Sequence, residues 1–162
     1  MAKPLAYLLT WTCYGTWLHG DLRGSVDRRH KAPGEPLLPA NPGQRRRVAT
    51  QMIGPSQVLD AAARALVHRA ITDHCEHRGW TLHTLSVRTN HVHVVVSGTD
   101  ASPERVMVQL KAWSTRRLRA AGLLSPDARL WTKHGSTRYL WNEPSVAGAI
   151  RYVTEMQGAS LT

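Results

Sequence analysis

Apolar and polar positions along the chain fall into short patterned blocks. Leu5 to Thr12 is an apolar, β-prone run that ends where glycine punctuates the sequence at Tyr14-Gly15, and it predicts a first strand. From Leu22 to about Pro55 proline and glycine recur without a sustained period, so 22–55 is expected to be a long loop outside the core. Between Ser56 and Arg78, Leu59, Ala63, Leu66, Ala70 and Cys75 keep one helical face apolar; Ser56 can cap that helix and Gly79 stop it. Trp80 to Val87 reads as a second strand, Arg88-Thr89-Asn90 as a turn, and His91 to Ser97 as a third strand, together an antiparallel hairpin. Ser102-Pro103-Glu104 supplies an N-cap, a first-turn proline and an acidic first turn to a helix whose apolar face includes Val106, Leu110 and Trp113. Thr137 to Trp141 is a fourth strand. Pro144 then opens a last helix, with Val146, Ala149, Ile150 and Val153 inward and Gly158 at its end.

The order is strand, helix, strand, strand, helix, strand, helix. It predicts an α+β fold: a ferredoxin-like, four-stranded antiparallel sheet with an added C-terminal helix, in a single domain over 1–162. Two helices cover one face of such a sheet, and the other face must be used or covered by something else. With 42% hydrophobic and 20% charged residues the chain is globular, and no apolar stretch approaches the ~20 residues of a membrane span. The run after Met1 to Pro4 is short and broken by Thr10, Thr12 and tryptophans, unlike a signal peptide, so a cytoplasmic protein without a membrane partner is expected. Cys13 and Cys75 fall in separate elements with no Cys-x-x-Cys pair, which argues against a disulfide framework or a zinc ribbon.

The third strand is chemically unusual. His91-Val92-His93-Val94-Val95-Val96 puts His91, His93 and Val95 on one face and Val92, Val94 and Val96 on the other. Two imidazoles held side by side on a rigid strand suit a divalent metal. The spacing alone does not assign one, since 9 histidines in 162 residues give about half a His-x-His pair by chance.

Charge narrows the partner. The chain has 21 Lys and Arg against 11 Asp and Glu, a formal charge of +10, which points to a polyanion. Most of the cations are arginines, suited to forked contacts with phosphate. Arg45, Arg46 and Arg47 form one cluster and Arg116, Arg117 and Arg119 another; both are candidate DNA-binding residues with salt-dependent affinity, or else solvated faces.

Four motifs then occur in order: Tyr14-Gly15-Thr16-Trp17-Leu18-His19-Gly20-Asp21, Arg88-Thr89-Asn90-His91-Val92-His93-Val94-Val95, Trp131-Thr132-Lys133-His134-Gly135-Ser136 and Ala149-Ile150-Arg151-Tyr152-Val153. In sequence and element context they resemble the HUH single-tyrosine nucleases, specifically the IS200-like and REP-associated tyrosine transposases, over nearly the whole chain. The resemblance implies a metal-dependent enzyme that nicks and rejoins single-stranded DNA carrying a hairpin. Tyr152 would be the catalytic nucleophile, forming a 5′-phosphotyrosine link and freeing a 3′-hydroxyl.

It also implies Mg²⁺ or Mn²⁺ as cofactor, held by His91, His93 and a third ligand from the tyrosine's helix. Relatives commonly place a glutamine about one turn after the tyrosine. Here Met156 stands at that position, leaving Gln157 as the nearest amide and Glu155 as an alternative carboxylate. Relatives act either as homodimers that exchange the C-terminal helix or as monomers, so both states stay open. The competing functions are a catalytically silent DNA-repeat-binding regulator, a replication initiator or relaxase, and an RNA-binding ferredoxin-like domain. Intact His91, His93 and Tyr152 argue against the first, the lack of a helicase segment against the second, and histidines in place of aromatic residues on the central strand against the third.

Overall fold

The computed structural model describes residues 2–15 and 57–155. In chain order these form β1 (Ala6–Thr12), α1 (Ala61–Arg78), β2 (Thr81–Val87), β3 (His91–Ser97), α2 (Pro103–Ala120), β4 (Ser136–Leu140) and α3 (Glu143–Glu155). The strands make one antiparallel sheet in the order β2-β3-β1-β4, which is the ferredoxin-like arrangement that the element order predicts. The expected loop at 22–55 lies outside the described residues, as does the Arg45–Arg47 cluster.

Alternation along the two central strands decides which layer covers which face. Leu9, Trp11, Val92, Val94 and Val96 enter the larger core with Val67, Ile71 and Cys75 of α1 and Val106, Met107, Leu110 and Leu118 of α2. Ala6, Leu8 and Val95 point the other way and form a smaller core with Leu140 and with Ala149 and Val153 of α3. Thus α1 and α2 cover one face, and α3 lies on the face that carries His91 and His93. The inward stripe read for the last helix, Val146, Ala149, Ile150 and Val153, is the one that packs.

Local chemistry sets the helix ends, and it corrects two expectations. α1 is capped by Asp60, whose side chain accepts from the Ala63 amide at 2.8 Å, and does not begin at Ser56. Residues 57–60 are not helical because their amides are used elsewhere: Gln57 donates to the Tyr14 carbonyl at 2.9 Å and Leu59 to that of Thr89 at 2.6 Å. Gly79 closes the helix in the left-handed conformation, φ 72°, where a side chain would be strained. α2 starts as expected, with Ser102 as cap and Pro103 in the first turn. Trp113 is not part of its buried face, which runs through Val106, Met107, Leu110, Ser114 and Leu118.

Just before β4, the segment Trp131–Gly135 runs along the end of β1. The Thr132 amide donates to the Thr12 carbonyl at 3.0 Å, and Cys13 bridges Trp131. Gly135 passes so near that a Cβ there would lie 2.5 Å from the Thr10 carbonyl oxygen, which is why a glycine stands in the Trp-Thr-Lys-His-Gly-Ser motif. Among the described residues no helix is long and apolar enough to cross a membrane.

Candidate active site

On the α3 face of the sheet three aromatic side chains meet. The His91 and His93 rings are 4.9 Å apart between centroids, and the Tyr152 ring stands edge-on to His93 at 5.8 Å. β3 supplies the histidines from the middle of the sheet, and α3 supplies the tyrosine from the exposed side of its inward stripe. A second contact fastens that helix to the sheet, between the hydroxyls of Thr154 and Thr84 at 3.3 Å.

Each imidazole is held through Nδ1. His91 Nδ1–H donates to Asn90 Oδ1 at 2.7 Å, an oxygen that can only accept, so in the neutral ring the lone pair is on Nε2. His93 Nδ1 lies 2.8 Å from Thr10 Oγ1 on the neighbouring strand, where Thr10 and His93 are register partners. With Nδ1–H donating to that hydroxyl, His93 also presents its lone pair at Nε2. Metal-ligating histidines are fixed in this way, one nitrogen tied to an oxygen so that the other is oriented and kept basic. The donor set therefore fits a divalent cation held by His91 and His93.

Among the described residues no group of three His, Cys, Asp or Glu side chains is placed to hold a metal. Glu155 therefore does not complete a cluster with the two histidines. Gln157 lies outside the described residues. Thr10 and Asn90 were not singled out from sequence, although each left a trace: Thr10 is a polar break in an apolar strand, and Asn90 directly precedes His91.

The segment that flanks the site is tied down by another residue that sequence reading passed over. Lys111 reaches from α2 to donate to the carbonyls of Thr132 at 2.9 Å and His134 at 3.2 Å. Burial, and after it the charge of Arg129, lowers its pKa from 10.5 to about 8. Between pH 8 and 10.5 the unfolded chain then binds more protons at this site than the native one, so this lysine makes the fold more stable as pH rises through that window. Lys111→Met is expected to flatten that slope. Urea unfolding of both proteins at pH 8 and pH 10.5 measures the difference, and identical pH slopes would count against a desolvated ammonium.

The arginines of α2 fare differently from one another. Arg117 is paired with Asp73 at 2.8 Å and Arg119 donates to the Ala128 carbonyl at 3.1 Å, so both tie the fold together. Arg116 lies over the Trp113 ring, 5.0 Å from its centroid. All three are on the helix layer, on the other side of the sheet from His91, His93 and Tyr152. The two thiols are buried, which pushes Cys13 to about 12 and Cys75 to about 11, as inert packed side chains.

The fold is shared with a solved structure and the sequence with a known family. The family described as "Transposase IS200 like" matches residues 52–143, more than half of the chain. Among solved structures the chain is similar to a REP-associated tyrosine transposase bound to a REP hairpin, with a TM-score of 0.50 and 14% identity, over 93% of this chain and 65% of that one. The chain thus spans about two thirds of the length of that relative. It is also similar to a crystallised protein from Deinococcus radiodurans R1 named as a candidate transposase, with a TM-score of 0.45 and 18% identity, over 98% of this chain and 95% of that one. No curated protein matches the sequence.

Proposed function

Because the chain belongs to the family of IS200-like transposases, we propose that it cuts and rejoins single-stranded DNA with Tyr152 as the nucleophile. The observation that carries this reading is the meeting of Tyr152 with His91 and His93 on one face of one sheet, within one chain. Of the chain's 4 tyrosines it alone has this neighbourhood. Tyr7 donates its hydroxyl to the Ala101 carbonyl on the helix side, Tyr14 is buried with Arg129 over its ring, and Tyr139 packs edge-on against Tyr7.

The reaction exchanges one phosphodiester for another. The Tyr152 phenol oxygen bonds to phosphorus as the bond to the 3′-oxygen breaks; the phenol proton leaves, and the departing oxygen takes up a proton as a 3′-hydroxyl. The downstream strand stays attached through a 5′-phosphotyrosine. A 3′-hydroxyl attacking that link reverses the exchange, on the same or another strand, with no external energy source. A divalent cation, Mg²⁺ or Mn²⁺, held by His91 and His93 would neutralise charge on the scissile phosphate. Tyr152 is exposed enough to meet a bulky backbone, and its ring is braced by His93. Asn90 and Thr10 keep the two imidazoles in the orientation that this chemistry needs.

The substrate we propose is single-stranded DNA with a hairpin. The net charge of +10 supports DNA, and the hairpin is drawn by likeness from the relative bound to a REP hairpin. Packing of α3 on the sheet of its own chain, through Ala149, Val153 and Thr154, supports a site completed by one chain. The test is incubation of the full chain with a pool of 3′-labelled hairpin-bearing single strands and Mn²⁺, followed by a denaturing gel. A labelled protein-DNA adduct is expected, because the downstream strand stays on the tyrosine. Absence of adduct and of any shortened strand across the pool would overturn the reading.

A further inference from the structure

The outer surface of the helix layer carries a chain of ring contacts that the site on the opposite face does not use. His74 of α1 donates to Gln109 Oε1 of α2 at 2.8 Å and stacks on Trp113, with ring centroids 5.5 Å apart and planes tilted by 28°. It also meets Trp80, edge-on at 5.4 Å, and His77, tilted at 6.4 Å. A guanidinium sits at each end of this series: Arg116 over Trp113 at 5.0 Å and Arg78 over Trp80 at 5.5 Å. Cation–π contact pins both arginines without neutralising them. Neither has a carboxylate partner among the described residues, in contrast to Arg117, which Asp73 neutralises.

Beside Arg78 an open groove of about 470 Å³ runs between the end of α1 and the start of α2, lined also by Arg105, Gln109 and Glu104. Glu104, its one acidic lining residue, accepts from Thr137 at 3.1 Å. Arg105 likewise has no carboxylate partner among the described residues. Three exposed guanidiniums therefore share one surface, two of them held in place by tryptophan.

We infer that Arg78, Arg105 and Arg116 form a phosphodiester-binding surface on the α1/α2 layer, which holds DNA by its backbone, without reading sequence, on the opposite side of the sheet from Tyr152. The inference rests on the reading that the chain acts on DNA. From the run Arg116, Arg117 and Arg119 it takes Arg116, and it adds Arg78 of α1 and Arg105 of α2. The tryptophans serve here as supports for the cations: Trp113 already bears His74 and Arg116, and Trp80 is buried. Fixed forks on a two-helix surface suit phosphate oxygens, which repeat along any DNA.

The test is fluorescence anisotropy in EDTA, so that binding is read without cleavage, over a range of salt concentrations. Three labelled probes of about 20 nucleotides or base pairs are used: oligo(dT), a blunt duplex and a hairpin with a single-stranded flank. For the favoured probe, Arg78→Gln and Arg116→Gln are each expected to lower the slope of log affinity against log salt by about 0.9 if it is duplex or about 0.7 if it is single-stranded, and the pair by about twice that. Arg105→Gln, which supports no ring, should lower it by the same single-contact amount and keeps the test readable if the tryptophan-linked variants unfold. Lys3→Gln removes one charge already paired with Asp100 and should leave the slope unchanged.

Equal effects of all four substitutions would reduce the surface to net charge and overturn the proposal, as would unchanged slopes for the arginines or no binding of any probe by the wild type. Which probe shows the loss tells duplex backbone from single-stranded backbone. Wild-type binding that depends on these arginines, with no adduct in the cleavage assay, would leave this surface standing and remove the nuclease reading.

Discussion

His91→Ala is expected to lower single-strand cleavage on the order of 100-fold or more, while affinity for uncut DNA in EDTA stays within about twofold. The asymmetry follows from where the imidazole sits. His91 faces the site from the start of β3, only partly buried, and its ring meets His93 and Asn90 rather than the core. Its loss therefore leaves the sheet intact. His93 would be a poorer test, because it is 5% exposed, between Thr10 and Tyr152, and its removal opens a hole under α3. Truncating Asn90 should give a smaller loss, on the order of 10- to 100-fold, because the ring stays while its orientation is freed. Titrating Mn²⁺ into both variants separates the effects: Asn90→Ala should recover part of its rate at high metal and His91→Ala should not. Wild-type cleavage by His91→Ala would sink the assignment of a metal to this face.

What could be read in the sequence was whatever depends on near neighbours. Alternation in His-Val-His-Val-Val-Val divided the two faces of β3 correctly, since valines 92, 94 and 96 meet α1 and α2 while Val95 meets α3. The stripe of the last helix followed from its own period, and so did the placing of Tyr152 beside it. Contacts between distant segments were illegible. The Thr10 hydroxyl that holds His93 and the Lys111 ammonium that holds Thr132 and His134 have no local signature, because only the sheet register and the path of the 131–135 segment create them.

Local reading also failed where two rules competed. Ser56 has the right chemistry for a cap, but the Leu59 amide is spent on Thr89, and the helix waits for Asp60. Trp113 fits an apolar stripe continued from Val106 and Leu110, yet Ser114 takes the buried position and the larger ring turns to His74 and Arg116. The family's order of motifs singled out Tyr152 as the candidate nucleophile, whereas helical periodicity alone offered it as one more residue at the edge of an amphipathic stripe. Gln157 and Arg45 to Arg47 lie outside the described residues, so their assigned roles rest on sequence alone.

Tyr152→Phe should have the largest effect of any single change: complete loss of both the covalent adduct and the cleaved strand, with fold and DNA affinity retained. The substitution removes one oxygen and keeps the ring. What packs here is the ring, edge-on to His93, and the side chain is 43% exposed, so its hydroxyl is not a buried group on which the core depends. A change in unfolding free energy below about 1 kcal/mol is expected, the usual net worth of one hydrogen bond. The chemistry, in contrast, has no substitute, since without the phenol oxygen no bond to phosphorus can form. A tyrosine that served only to brace His93 would behave in the opposite way, because phenylalanine would brace it equally well and the adduct would persist. The gel of the cleavage assay, run beside a thermal melt of both proteins, measures the two quantities together. Persistence of adduct in Tyr152→Phe would move the nucleophile to one of the other three tyrosines. Each of those would first have to leave its present contacts on the helix side or in the core: Tyr7 that with Ala101, Tyr14 that with Arg129, and Tyr139 that with Trp141.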